Sequence, residues 1–265
     1  VLSELYGVTN WDFDFAGHKS QGDWQAALGV AVRVHHLSWV SMAGEAKRDY
    51  PASISYQSPW YKEYPIVEDH FARVNSVLTR GNPHIRVGMI HPVESYWLAF
   101  GPESQTGTAR KELDQGFQQS TRWLVEGLID FDYIAESLLP DLNSEQRGTQ
   151  FAVGRMAYDA VVVPPMRTMR STTLERLEAF AAAGGKLVFA GHVPDLVDAV
   201  PSARVKRLAA KAEQIEFSPV TLLGALESLR EIDVRSRNGS PVGGLLHQFR
   251  TDGDARYLFV CNTEY

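Results

Sequence analysis

The sequence predicts an α/β protein built on parallel sheet, and three observations carry that expectation. Apolar strand-length runs, "YDAVVVP" at Tyr158–Pro164 and "KLVFA" at Lys186–Ala190, alternate with helix-length amphipathic segments. That pattern marks strands buried on both faces of an open sheet. Val1–Trp39 holds a strand, a helix and a second strand within about 40 residues, the spacing of a βαβ unit. The third observation is length: 265 residues suffice for one large or two medium domains.

Each element follows from local pattern. Val1–Tyr6 reads as a short buried strand closed by Gly7, and His18–Leu28 as a helix ended by Gly29. Its expected buried side carries Trp24, Ala27 and Leu28. Val30–Trp39, with β-branched Val30, Val32 and Val34, is the second strand. A long loop, Ser41–Pro65, mixes charges, turn residues and five rings; loops of such length are usually functional or disordered, and the aromatics argue against disorder. Ile66–Thr79 is helical, with Val67, Phe71, Val74 and Leu78 as its buried stripe, and Arg80-Gly81-Asn82-Pro83 stops it. The period then restarts with a strand at Ile85–His91, a long amphipathic helix at Arg110–Gly127 and a short strand at Tyr133–Glu136. Ser171 is a plausible cap for a helix over Thr173–Ala183, which Gly184-Gly185 terminates. Val220–Leu229 reads as a helix, and "VGGLLHQFRTDGDARYLFVCNTEY" as a β-hairpin around Thr251–Asp254, the start of a β-rich module. Expected boundaries are 1–82, 83–232 and 233–265. With no initiator Met and an ending just past one hairpin, the sequence is expected to be cut at both ends.

Composition excludes several classes. The apolar fraction of 44% and charged fraction of 22% are globular. A net charge of −6 without a Lys/Arg-rich block argues against a nucleic-acid partner. No run approaches the roughly 18 apolar residues of a membrane span. Cys261 stands alone, which rules out an intramolecular disulfide and a thiolate zinc cluster and leaves the compartment open: cytoplasm, periplasm or exterior.

Five of the six Trp residues, Trp11, Trp24, Trp39, Trp60 and Trp97, fall in the first hundred positions. Rings so concentrated suit flat, partly apolar ligands such as sugars, or else fill a core. The stretches "SELYGVTNWDFDFAGHKSQGDWQAALGV", "HHLSWVSMAGEAKRDYPASISYQSPWY", "HFARVNSVLTRG" and "RVGMIHPVESYW" resemble large bacterial glycoside hydrolases of the family 106 α-L-rhamnosidase, loosely family 2-like, type. The stretch "YDAVVVPPMRTMRSTTLERLEAFAAAGGKLVFAG" resembles the amidotransferase-like domain that follows the barrel in family 42 β-galactosidases. The resemblance implies the C-terminal part of a (β/α)8 barrel over 1–82, then a flavodoxin-like or class I amidotransferase-like open sheet. It also implies hydrolysis of O-glycosidic bonds of plant-type or other complex carbohydrates, by two carboxylates on barrel strand ends.

Glu4, at the carboxyl end of the first strand, is where the resemblance places one carboxylate, and its partner is expected outside this sequence. Asp12 and Asp14 are rivals that could equally cap the following helix or bind a cation. His36, rather than His35, is the choice for a donor to a sugar hydroxyl, because alternation lets only one face the barrel axis. Tyr6, Trp11, Trp39 and Trp60 are candidate sugar contacts, as are Lys47, Arg48 and Asp49 beside Tyr50; the same charges could be a solvated run. Gln57 and Tyr61 could extend such a platform. His91, Glu94 and Trp97 follow the first strand of the second sheet, where open α/β sheets bind ligands. No cofactor is evident; the family leaves calcium as an option for a full-length enzyme, and no complete ligand set occurs here. The turn Ala190-Gly191-His192 lacks the nucleophilic Cys of true amidotransferases. The second domain is therefore expected to pack, against the barrel or in a homo-oligomer, rather than to catalyse. The other class the sequence allows is a carbohydrate-binding or assembly module without catalysis.

Overall fold

The computed structural model describes residues 1–45, 54–142 and 147–264. The chain forms two compact units, one of residues 1–84 with 244–265 and one of residues 85–243. In the first, β1 (Leu2–Leu5) leads through helix α1 (Phe15–Ala27) to β2 (Val32–His35), and the two strands pair in parallel with Glu4 opposite Val34. Helix α2 (Pro65–Leu78) follows, then the two-residue strand β3 (Asn82–Pro83).

Helix α2 buries Val67, Phe71 and Leu78 of the stripe its spacing predicts and leaves Val74 half-buried. Helix α1 departs from expectation: Trp24 and Leu28 are exposed, while His18, Gly22, Asp23, Ala26 and Ala27 are buried. Small residues let α2 approach closely, so shape rather than hydrophobicity picks the buried face. Gly22 is the point of closest approach, since a Cβ there would sit 2.0 Å from the Phe71 ring. Asp23, buried beside it, is held by His70 Nε2 at 2.6 Å and Lys19 Nζ at 2.5 Å. Gly22→Ala should therefore destabilise the protein by about 1–3 kcal/mol through overpacking, although alanine favours a helix by about 1 kcal/mol. A urea midpoint at or above that of the parent would refute the tight contact.

The second unit holds a five-stranded parallel sheet. Its strands are β4 (Val87–Ile90), β5 (Phe131–Ile134), β8 (Ala160–Val163), β10 (Lys186–Ala190) and β13 (Glu213–Ile215). Their spatial order is β13-β10-β8-β4-β5, the first strand lying between the second and third. That is the flavodoxin-like order of doubly wound sheets. Helices α3 (Val93–Leu98) and α4 (Glu103–Glu126) separate β4 from β5, and short strands β6 (Phe151–Val153) and β7 (Met156–Tyr158) precede β8. Strand β9 (Thr168–Met169), helix α5 (Ser171–Ala182), strands β11 (Leu196–Val197) and β12 (Val200–Pro201), and helices α6 (Arg204–Ala209) and α7 (Pro219–Leu226) complete the unit.

Both sheet faces are covered, as the continuous apolar strands require. Val161, Val163, Leu187 and Phe189 face Leu174, Leu177 and Phe180 of α5. The alternate residues Val87, Met89, Ala160 and Val162 face Leu124 of α4 and Leu222 and Leu226 of α7. Each of these valines, leucines, phenylalanines and methionines contributes about 1.5–3 kcal/mol on burial.

The terminal hairpin, β14 (Leu245–Asp252) and β15 (Ala255–Asn262), turns at Gly253 with φ +56°. It belongs to the first unit. Strand β14 pairs with β3, Gln248 donates to the Ala26 carbonyl at 2.9 Å, and Leu246 and Cys261 are buried. Gly81 lets β14 run close beside it, since a Cβ there would lie 2.0 Å from the Thr251 carbonyl oxygen. Among the described residues, no helix is long and apolar enough to cross a membrane.

Candidate functional site

The parallel register of β1 and β2 sorts their side chains. Leu2, Glu4, Val32 and Val34 share one face and are all exposed. Leu5, Arg33 and His35 share the other, turned toward the helices. The Glu4 side chain accepts no hydrogen bond and makes no ion pair among the described residues, so nothing in the fold uses its charge. Directly after it the backbone turns sharply: Tyr6, Val8 and Asn10 all have positive φ, of 66°, 56° and 67°. Such conformations are rare for non-glycine residues and least natural for a β-branched one. Strain of this kind gathers at functional sites.

His36 lies at the neighbouring strand end. Its N–H donates to the Leu5 carbonyl at 2.7 Å, and its ring lies against Gly7, where a Cβ would meet Cδ2 at 3.2 Å. The Trp39 ring meets His36 edge-on at 6.4 Å, and the Trp39 carbonyl accepts from Gln57 Nε2 at 2.5 Å. The structure thus brings Gly7, His36, Trp39 and Gln57 together just past the strand that carries Glu4. Trp11 is about a third exposed and Trp60 is half-buried, and no hydrogen bond or ring contact ties either to this group among the described residues. Lys47, Arg48 and Asp49, with Tyr50, lie outside the described residues. Of the rival carboxylates, Asp14 caps α1, accepting from Gly17 N at 2.9 Å, and Asp12 is exposed.

Tyr6, expected as a sugar contact, is 1% exposed instead. Its hydroxyl donates to the His18 carbonyl at 3.2 Å and accepts from Arg33 Nη1 at 3.3 Å. The same Arg33 donates to Glu68 Oε2 at 3.1 Å and stacks 3.8 Å over the Phe71 ring. His35 Nε2 stands 3.0 Å from Glu68 Oε1, and the rings of His18, His35 and Tyr64 close around Tyr6. Burial pushes the His18 and His35 imidazoles down toward the neutral form and the Tyr6 and Tyr64 hydroxyls up. This network anchors the strand end beneath Glu4 and His36. Sequence reasoning missed it because its members are spread over sixty residues.

In the second unit α3 follows β4 and packs against β9 and α4. Ser95, fully buried, accepts from Arg167 N and Thr168 N, both at 3.0 Å. His91 joins an aromatic group with Phe117 and Tyr133 at 5.1 and 5.8 Å. Glu94 Oε1 accepts from Arg170 Nε at 2.8 Å. The cap expected of Ser171 comes from elsewhere: the Arg170 N–H is taken by Glu136 Oε2 at 2.8 Å and the Ser171 N–H by Asp198 Oδ1 at 2.9 Å. The turn at Gly191 has φ +78° and is followed by exposed His192. No group of three or more His, Cys, Asp or Glu is placed to hold a metal ion among the described residues.

Glu136 is 1% exposed, and burial chiefly pushes its carboxyl from the ordinary 4.5 up to about 7. The folded chain therefore holds this proton more tightly than the unfolded chain. The resulting penalty is absent below pH 4.5, grows toward pH 7 and is constant above. Glu136→Gln keeps an acceptor for the Arg170 N–H and removes the charge. It should raise stability at pH 8 by up to about 3 kcal/mol and change little at pH 4. Urea unfolding at the two pH values checks this, and a loss of stability at pH 8 would refute it.

No protein-family model matches this chain, and no curated protein sequence matches it either. Solved structures do share its fold. A rhamnosidase from Novosphingobium sp. PP1Y superposes with a TM-score of 0.63 at 17% identity, covering 98% of this chain and 25% of that one. An exo-carrageenase GH42 from Bacteroides ovatus gives 0.56 at 13% identity, over 96% and 33% of the two chains. A GH42 β-galactosidase from G. stearothermophilus gives 0.51 at 17%, over 70% and 25%. The fold is thus of a class found in glycoside hydrolases, and residues 1–265 span about a quarter of the length of the rhamnosidase.

Proposed function

We propose that residues 1–265 are part of a glycoside hydrolase in which Glu4 is one of two catalytic carboxylates, its partner supplied from outside these residues. The observation that carries this is Glu4 itself: an unengaged carboxylate at the carboxyl end of a parallel strand, followed by a strained turn. In this reading residues 1–82 belong to a (β/α)8 barrel and Leu2, Glu4, Val32 and Val34 face its axis. Residues 83–232 are an amidotransferase-like domain without glutaminase chemistry. Glycosidic cleavage needs one carboxyl to protonate the leaving oxygen and another to activate water or attack the sugar. His36 donates to a sugar hydroxyl, Trp11, Trp39 and Trp60 offer ring faces, and Lys47, Arg48 and Asp49 are candidate polar contacts by their residue types alone. The resemblance to α-L-rhamnosidases makes α-L-rhamnosides the first substrates to try.

The test is a screen of aryl α-L-rhamnosides, β-D-galactosides and α-L-fucosides with the protein that contains this chain, beside residues 1–265 alone. Hydrolysis by the former and none by the latter is expected, because one carboxylate cannot serve as both acid and base. Turnover by residues 1–265 alone would sink the two-part site. The second reading, a non-catalytic binding or assembly module, is favoured by the exposed apolar stretch Trp97, Leu98 and Phe100, at 60, 49 and 79%. It predicts glycan binding or self-association by the containing protein with no hydrolysis of any glycoside in the screen.

A further inference from the structure

We infer that the second unit carries a carbohydrate-binding site of its own, a cavity of about 310 Å³ where Trp97, Glu94, Arg170 and Asp198 converge. This inference does not rest on the role of Glu4 and survives if that role fails. The cavity is at the lower end of ligand-site sizes. Glu94 and Trp97 are three residues apart on α3, so they present the same helix face. The indole is 60% exposed, far more than a core ring, and offers an apolar plane beside polar groups.

The polar groups are fixed but not saturated. Glu94 Oε1 is held by Arg170, while its Oε2 is buried without a partner. A carboxylate oxygen left so is a costly feature unless something donates to it. The opposite wall is the turn at Asp198 and Ala199, with φ of 48° and 64°. It is pinned by Ser171 N on Asp198 Oδ1 at 2.9 Å and by Ala199 N on Thr168 Oγ1 at 3.0 Å. The cavity is therefore preorganised rather than formed on binding.

The charges choose the ligand class. An anion would meet Glu94 and Asp198, and a cation would meet the Arg170 guanidinium. A neutral polyol suits all three, because each hydroxyl both donates and accepts. A pyranose adds a C–H face for the indole. The site thus fits a neutral sugar ring of a longer glycan.

The test is a ¹H–¹⁵N titration of residues 1–265 with methyl glycosides of rhamnose, galactose and glucose and with neutral oligosaccharides of each. Tetramethylammonium and inorganic phosphate serve as charged counter-probes. The Trp97 indole N–H, assigned by its absence in Trp97→Phe, should shift with at least one sugar and with neither charged probe. Calorimetry should show Kd rising about tenfold or more in Trp97→Ala and in Glu94→Gln, and no change in Glu4→Gln. Circular dichroism checks that each variant is folded. No indole shift with any sugar, a shift with the charged probes instead, or sugar binding indifferent to Trp97 and Glu94 would each overturn the inference. Sugar binding lost only in Glu4→Gln would assign it to the first unit and overturn it as well.

Discussion

Glu4→Gln, made in the protein that contains residues 1–265, should lower kcat on aryl glycosides by about 10²–10⁴-fold. The substitution keeps size and shape and removes only the ability to carry a charge or give up a proton. The fold makes no use of that ability: Glu4 is exposed and its carboxylate has no partner among the described residues, so the unfolding midpoint should not move. The neighbouring acids supply the control. Asp14 caps α1, and asparagine caps equally well, so Asp14→Asn should leave kcat within severalfold. Near-normal turnover in Glu4→Gln, or a loss in Asp14→Asn that matches it, would remove Glu4 from the chemistry.

Glu4 was legible because strand ends are legible. Val1, Leu2, Leu5 and Tyr6 flank Ser3 and Glu4 before Gly7, which marks a short strand and places its end. The same holds for β8 and β10, short apolar runs bounded by turn residues that read as strands buried on both sides. Other features depend on contacts distant in sequence. The buried face of α1 was misplaced because Gly22 is chosen by the ring of Phe71, almost fifty residues on. The partner of β14 is the two-residue strand Asn82–Pro83, too short to leave a periodic signal, and a proline in a strand argues against one. The Tyr6 network joins a ring expected to contact a sugar with Arg33 and Glu68, neither of which carries a motif of its own. Only pairing β1 with β2 puts Arg33 against both Tyr6 and Glu68. Helix α3 was likewise unread as a helix: six residues with exposed rings carry no amphipathic stripe, and its place is fixed by Ser95 bonding across to Arg167 and Thr168.

Phe180→Ala should cost about 3–5 kcal/mol of stability. The ring is fully buried on α5, meets Phe151 edge-on at 5.5 Å and packs with Leu174 and Leu177 against the sheet. Removing it loses both transfer energy and packing, and the surrounding helix and strand leave little freedom to collapse. Gly185 reports on that gap. A Cβ there would lie 2.1 Å from the ring, so Gly185→Ala alone forces the phenylalanine aside. In the Phe180→Ala background the added methyl points into vacated space. The double variant should therefore be more stable than the two single losses sum to, with a coupling of about 1–3 kcal/mol. Urea unfolding followed by Trp fluorescence measures all four species, and additivity within 0.5 kcal/mol would deny the contact. Because α5 begins at Ser171, whose N–H is held by Asp198, the same unfolding should abolish sugar binding at Trp97. Binding should then disappear along the unfolding curve of the second unit, at a lower urea concentration in Phe180→Ala than in the parent.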